Sequence, residues 1–184
     1  MTYGEVKESI LKLGYETSTD EDGLFIDGIN RALRFINVEF PLTATYEVTL
    51  NGSDDYETID FSAMDDFDVF LKATIKKSVG GRMQIFPFAD ITVDDSIVKY
   101  YEGISGTVTF TYRTRPTMVT DTTSDSDDLT ILYKAEPLLP LLAAFYIWGD
   151  DAPDKAAQWK NDYEDMKILI KGEPQNRFQI VGGI

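Results

Sequence analysis

Between Leu138 and Trp148 the chain reads LLPLLAAFYIW, eleven residues without a charge, and the run ends at Gly149-Asp150-Asp151-Ala152-Pro153. A membrane-spanning helix needs about 20 apolar residues. This run is far shorter and reads as a helix buried in protein. A helix apolar on every side must be covered on every side, so the fold has to supply several packing partners at once. The segment after the breaker differs. Ala152, Ala156, Trp159, Tyr163, Met166 and Ile170 recur at intervals of four, three, four, three and four, one stripe on an amphipathic helix. Asp151 is the expected N-cap, Asp154 reinforces the positive end, Lys167 and Lys171 sit at the negative end, and Gly172 is the stop. Pro137 and Pro140 both suit a helix start but cannot share its first position, which predicts an irregular first turn for the apolar helix.

Two further helices are expected at the other end of the chain. Thr2-Tyr3-Gly4-Glu5 fits a capping box, and Val6, Ile10 and Leu13 follow at helical spacing before Gly14. From about Leu24 to Phe40, Phe25, Ile29, Leu33, Ile36 and Phe40 form one apolar face, with Asn30, Arg31 and Arg34 off it, and Pro41 closes the pattern. Between the helical halves, from Thr43 to about Arg115, the period changes to two. TATYEVTL, YETIDFS, DVFLKATIKK, MQIFPF, SIVKYY and GTVTFTYRTR predict about six antiparallel strands, with turns at Asn51-Gly52 and Gly80-Gly81. TSDSDD is a loop returning the chain to helix.

The expected fold class is therefore α+β: a small bundle of about four helices with an inserted antiparallel β domain and an extended C-terminal arm. The boundaries are 1–42 and 119–171 for the two halves of the bundle, 43–118 for the insertion and 172–184 for the arm. Neither helical half can bury its own apolar surface, so the two must pack together. Apolar residues are 43% of 184, enough for a core of that size.

Composition removes many functions. There is no histidine and no cysteine, which excludes disulfide scaffolds, thiolate zinc sites and Ser-His or Cys-His nucleophiles. A net charge of −15 repels phosphate and opposes sequence-independent nucleic-acid binding. The first residues are polar and mixed in charge, so they do not read as a signal peptide. Aligning Gly23 to the sixth position of a calcium loop puts Ser18 first and Ile29 last, where Asp and a bidentate Glu belong. Asp54-Asp55, Asp65-Asp66 and Asp94-Asp95 are adjacent pairs, which point to opposite faces in strands and are merely hydrophilic in turns. No catalytic, metal or cofactor site is expected, and no membrane contact.

Three features suit contacts with other molecules. Lys76, Lys77 and Arg82 make one hairpin tip basic in an acidic chain, as edge-strand protection or as a contact with an acidic neighbour. Phe178, Ile180, Val181 and Ile184 make the tail too apolar for a purely solvated end, and suit an arm that docks in a groove or adds a strand. Phe145, Trp148, Trp159 and Tyr163 are the large aromatics of the closing helices, for the core or a subunit interface.

The layout resembles the head-to-tail adaptor, or head-completion, proteins of tailed bacteriophages. INRALRFINVEFP looks like their second helix, and LLPLLAAFYIWGDDAPDKAAQWKNDYEDM like their closing helical hairpin. The likeness covers nearly the whole chain. It implies a structural virion protein in the neck, made in the bacterial cytoplasm and assembled as a ring of about a dozen copies. A portal protein would lie above, a tail or stopper protein below, and DNA would pass through the channel without sequence-specific binding. Other readings compatible with the residues are a stopper, tail-completion or baseplate subunit, or a carbohydrate-binding module using exposed aromatics of the insertion.

Overall fold

The computed structural model describes residues 1–13, 22–149 and 151–172. It is α+β and divides into two compact units, one built from Met1–Phe40 with the chain from Thr117 onward, the other from Pro41–Pro116.

The first unit holds α1 (Tyr3–Lys12), α2 (Asp22–Glu39), α3 (Leu138–Trp148) and α4 (Pro153–Lys171). The capping box forms as the sequence predicts: Glu5 N–H donates to Thr2 Oγ1 at 3.2 Å, and Thr2 N–H donates to Glu5 Oε2 at 2.8 Å. The acidic loop is also put to use here. Carbonyls of Asp127 and Asp125 accept from Tyr3 and Gly4 N–H at 2.9 and 3.0 Å, which satisfies donors that the first turn leaves free. Asn30 clamps the returning chain from α2, accepting from Val119 N–H at 2.8 Å and donating to its carbonyl at 2.9 Å.

The lack of polarity in α3 follows from its neighbours, since α1, α2 and α4 all pack on it. Seven of its residues are buried, and Leu141, Phe145, Tyr146 and Ile147 are half-buried, so none of its residues is fully exposed. Its entry is irregular, as the two prolines imply. A 3-10 turn at Tyr133–Ala135 leads in, Pro137 takes the N-cap position, and no side chain caps the helix. The expectation for α4 needs correction at its start. Asp151 is exposed and the N-cap is Ala152, without a side-chain hydrogen bond. Pro153 occupies N1, where its fixed φ and missing N–H set the first turn, leaving Asp151 one residue too early to reach the free amides. Asp154 does lie in the first turn.

Helices α2 and α3 meet closely at Gly28, where a Cβ would stand 2.3 Å from Ile147 Cγ1 and 3.3 Å from the Ala143 carbonyl oxygen. Alanine gains about 1 kcal/mol of helix propensity over glycine. Here the overlap outweighs that gain, because overpacking costs about 1–3 kcal/mol. Gly28→Ala is expected to lower stability to urea by up to about 2 kcal/mol net; an increase in the midpoint would show that Ile147 moves aside freely.

The second unit has seven strands, not six. A four-stranded antiparallel sheet is ordered β1 (Thr43–Asn51), β7 (Ser105–Thr114), β3 (Phe67–Val79), β4 (Arg82–Pro87). A three-stranded one is ordered β2 (Tyr56–Asp60), β6 (Ile97–Tyr101), β5 (Ile91–Asp94). The strand missing from the sequence reading is β5. Its four residues are too few to show a period, and it exists because it pairs with β6 from Ile91↔Tyr100 to Asp94↔Ile97. The two sheets share one core, with Leu50, Ala73, Ile75, Val108, Phe110 and Tyr112 from the larger meeting Val98 and Tyr100 from the smaller. The β3–β4 turn is the two-residue Gly80-Gly81, with φ of 59° and 78°, a conformation that suits hairpin twist and favours glycine.

Candidate interaction surfaces

Of the four aromatics singled out in the closing helices, three lie in the helical core. Trp148, Trp159 and Tyr163 are 3%, 4% and 1% exposed, the two indoles 6.0 Å apart by ring centroid, with Phe25 edge-on to Trp148 at 5.8 Å. Phe145 is half-buried, packed beside Tyr146, with the Lys160 ammonium 5.5 Å from its ring centre.

Tyr163 carries an anomaly. Its hydroxyl is buried with no hydrogen-bond partner among the described residues. Burial, with the nearby charges of Glu39 and Glu164, pushes the phenol well above its ordinary value. An unpaired buried hydroxyl is destabilising by about 1–3 kcal/mol. Tyr163→Phe is therefore expected to leave stability at pH 7 unchanged or raise it by about 1 kcal/mol, read from the urea midpoint. The pH dependence follows from the direction of the shift. Above the ordinary tyrosine value of 10.0 the unfolded chain loses this proton while the folded chain keeps it, so stability falls as pH rises. Tyr163→Phe should remove one proton's worth of that alkaline slope. A variant with an unaltered slope above pH 10 would contradict the assignment.

The basic tip is split by strand alternation. Lys77 faces the core side, half-buried, its ammonium 5.2 Å from the Phe86 ring centre. Arg82 pairs with Val79 on that same side and is exposed. Lys76 points to the other face, opposite Ile85. That outer face also carries Met83, so Met83 and Ile85 stand 60% and 69% exposed on an edge strand. The sequence reading passed over both residues. Their spacing of two in MQIFPF was the available signal, although it does not say which parity faces the core. The helical unit exposes apolar residues too, among them Phe35 and Val38 on α2 and Ile168 and Leu169 on α4. Beside them Lys171 donates to Glu39 and holds that carboxyl below the usual range. Phe178, Ile180, Val181 and Ile184 lie outside the described residues.

Two clefts of the β unit have lining groups that already contact other protein groups. One, of about 310 Å³, is lined by Asp65, Asp68, Asp95 and Arg115. Asp68 accepts from Arg113 Nε at 2.5 Å, so this carboxylate is paired. Another, of about 220 Å³, has Tyr56, Tyr101, Lys99 and Asp90 on its walls. Lys99 lies over one face of Tyr56 at 5.0 Å, and the Tyr101 hydroxyl donates to Asp54. Among the described residues no group of His, Cys, Asp or Glu is placed to hold a metal ion, and no helix is long and apolar enough to cross a membrane.

No curated protein is similar enough to count as a match. Among solved structures, a chain of the neck of an empty GTA particle, computed with C6 symmetry, is 14% identical. The alignment covers 86% of this chain and 91% of that one with a TM-score of 0.27, too low to carry an argument. The family model described as SU10 adaptor protein matches residues 1–179, nearly the full length. The chain thus belongs to the SU10 adaptor protein family.

Proposed function

We propose that this chain is the head-to-tail adaptor subunit of a tailed phage, assembling as a ring of about a dozen copies between portal and tail around the DNA channel. The observation that carries the reading is apolar surface left over after both cores are complete. Met83 and Ile85 on β4, and Phe35, Val38 and Leu169 in the helical unit, remain exposed on a chain whose family is one of adaptors. Exposed apolar positions of this kind are what contacts with neighbours consume. In this reading the chain's work is assembly, carried by its surfaces. The net charge of −15 suits a wall past which DNA must slide, because phosphate is not retained there.

In this reading Phe178, Ile180, Val181 and Ile184 form the docking arm toward the portal, and Phe145 is the member of the aromatic set available to a neighbouring subunit. The test is binding of the full chain to portal rings, followed by sedimentation and negative-stain microscopy. The full chain is expected to form a ring density on the portal, while a chain truncated after Gly172 loses it. If the truncated chain binds as well as the full one, the arm has no docking role. If neither binds, the adaptor reading is wrong.

A further inference from the structure

The larger sheet has two open edges, and they differ in charge. Among the described residues, strand order β1-β7-β3-β4 leaves β1 and β4 with one strand neighbour each. Open edges are normally guarded by charge, proline or bulges, because their free N–H and C=O groups template further pairing. These two are poorly guarded. TATYEVTLN in β1 has one charge, Glu47, in nine residues, and RMQIFP in β4 has Arg82 at one end and Pro87 at the other. Among the described residues the bulges of this sheet are between β3 and β7, inside the sheet.

Topology makes the edges compatible. Every pair in the sheet is antiparallel, so β1 and β3 run one way and β7 and β4 the other. With four strands, a second copy set alongside in the same orientation brings its β1 next to β4 antiparallel, and the alternation continues unbroken. An odd number of strands would have produced a parallel mismatch.

Charge agrees with this placement. Asn51 pairs with Ser105, and Lys76 with Thr107. The end of β1 and the β3–β4 tip therefore lie at the same end of the sheet, on opposite edges. Beyond Asn51 come Asp54, Asp55 and Glu57, all exposed. Beside Gly80-Gly81 stands exposed Arg82, with Lys77 nearby. Side by side, the basic tip of one copy meets the acidic turn of the next, and Met83 and Ile85 on the outer face come level with the neighbour's Asn51 and Thr49.

We infer that β4 of one copy pairs with β1 of the next, joining the sheets of neighbouring subunits head to tail. Such a contact uses two different patches and can close a ring. The identity of the partner as a second copy rests on the ring reading above.

The absence of cysteine from the chain makes a clean test possible. Full-length Arg82→Cys and Asp55→Cys variants are treated with a short bis-maleimide, each alone and mixed, with and without portal rings, and oligomer mass is measured in parallel. The mixture is expected to give a covalent dimer containing one of each chain, and each variant alone no dimer. Lys77→Glu added to the Arg82→Cys chain, which reverses the other charge of the tip, should reduce the mixed cross-link about tenfold. Dimers from Arg82→Cys alone would mean tip-to-tip pairing and overturn the proposal. Rings formed without the mixed cross-link overturn the strand pairing while leaving the adaptor reading intact. The mixed cross-link with no portal binding supports the pairing and counts against the adaptor reading. Monomers throughout, with no cross-link, overturn both.

Discussion

Phe61→Ala is expected to destabilise the β unit by about 3–5 kcal/mol, the largest single effect there, because a cavity opens where the two sheets meet. Phe61 is 0% exposed and opens the short 3-10 turn after β2. Its ring lies 5.4 Å from Phe67, 5.5 Å from Tyr112, 6.1 Å from Tyr46, 6.2 Å from Phe110 and 6.4 Å from Phe70. The backbone is held as well, by Phe61 N–H donating to the Ser96 carbonyl at 2.9 Å and by Ser62 N–H donating to Asp60 Oδ1 at 2.9 Å. Strands β1, β3 and β7 all contribute rings to this cluster, so collapse around the missing phenyl would have to move several strands together. The readout is hydrogen exchange of amides in those strands under native conditions. Phe61→Leu should lose much less, since most of the volume is kept. A loss below about 1 kcal/mol for the alanine variant would mean that the site collapses easily.

Trp159→Ala should be as damaging in the helical unit, about 3–5 kcal/mol. Trp159 projects from the α4 stripe onto Trp148 of α3, which in turn meets Phe25 of α2, so one indole lies in a chain of contacts across three helices. The experiment also separates the two roles open to these aromatics. A core residue destabilises the isolated chain when truncated; a residue serving only a subunit contact leaves the monomer's stability intact and weakens assembly. Both tryptophans of the chain lie in this unit, so Trp148 remains as the fluorescent reporter in the variant. Its urea midpoint is expected to fall and its emission to shift red. A monomer of unaltered midpoint with impaired ring formation would move Trp159 from core to interface.

Much of the fold was legible because it rests on local patterns. The capping box at Thr2 and Glu5, the stripes of α2 and α4 and the Gly80-Gly81 hairpin turn all depend on residues within a few positions of one another. The miss at Asp151 was local too, and arose because Pro153 dictates where the helix begins. The surfaces were less legible. Lys76 and Lys77 looked like one basic tip, yet alternation sends them to opposite faces, and only the position of Ile75 in the core shows which is which. Strand β5 was invisible because its pairing with β6, and not its own four residues, makes it a strand.

By itself the sequence determined the α+β class, the run of helices and strands, the exclusion of histidine and cysteine chemistry, and the need for α3 to be enclosed. Those conclusions follow from period, composition and charge, which are properties of neighbours along the chain. Tertiary structure alone decided that three helices enclose α3, that two sheets share the core around Phe61, and that β1 and β4 are the free edges of the larger sheet. The physical reason is that burial and pairing are set by residues far apart in sequence. A strand's edge is open or closed according to what lies beside it, and no residue within β4 records that it is the last described strand of its sheet.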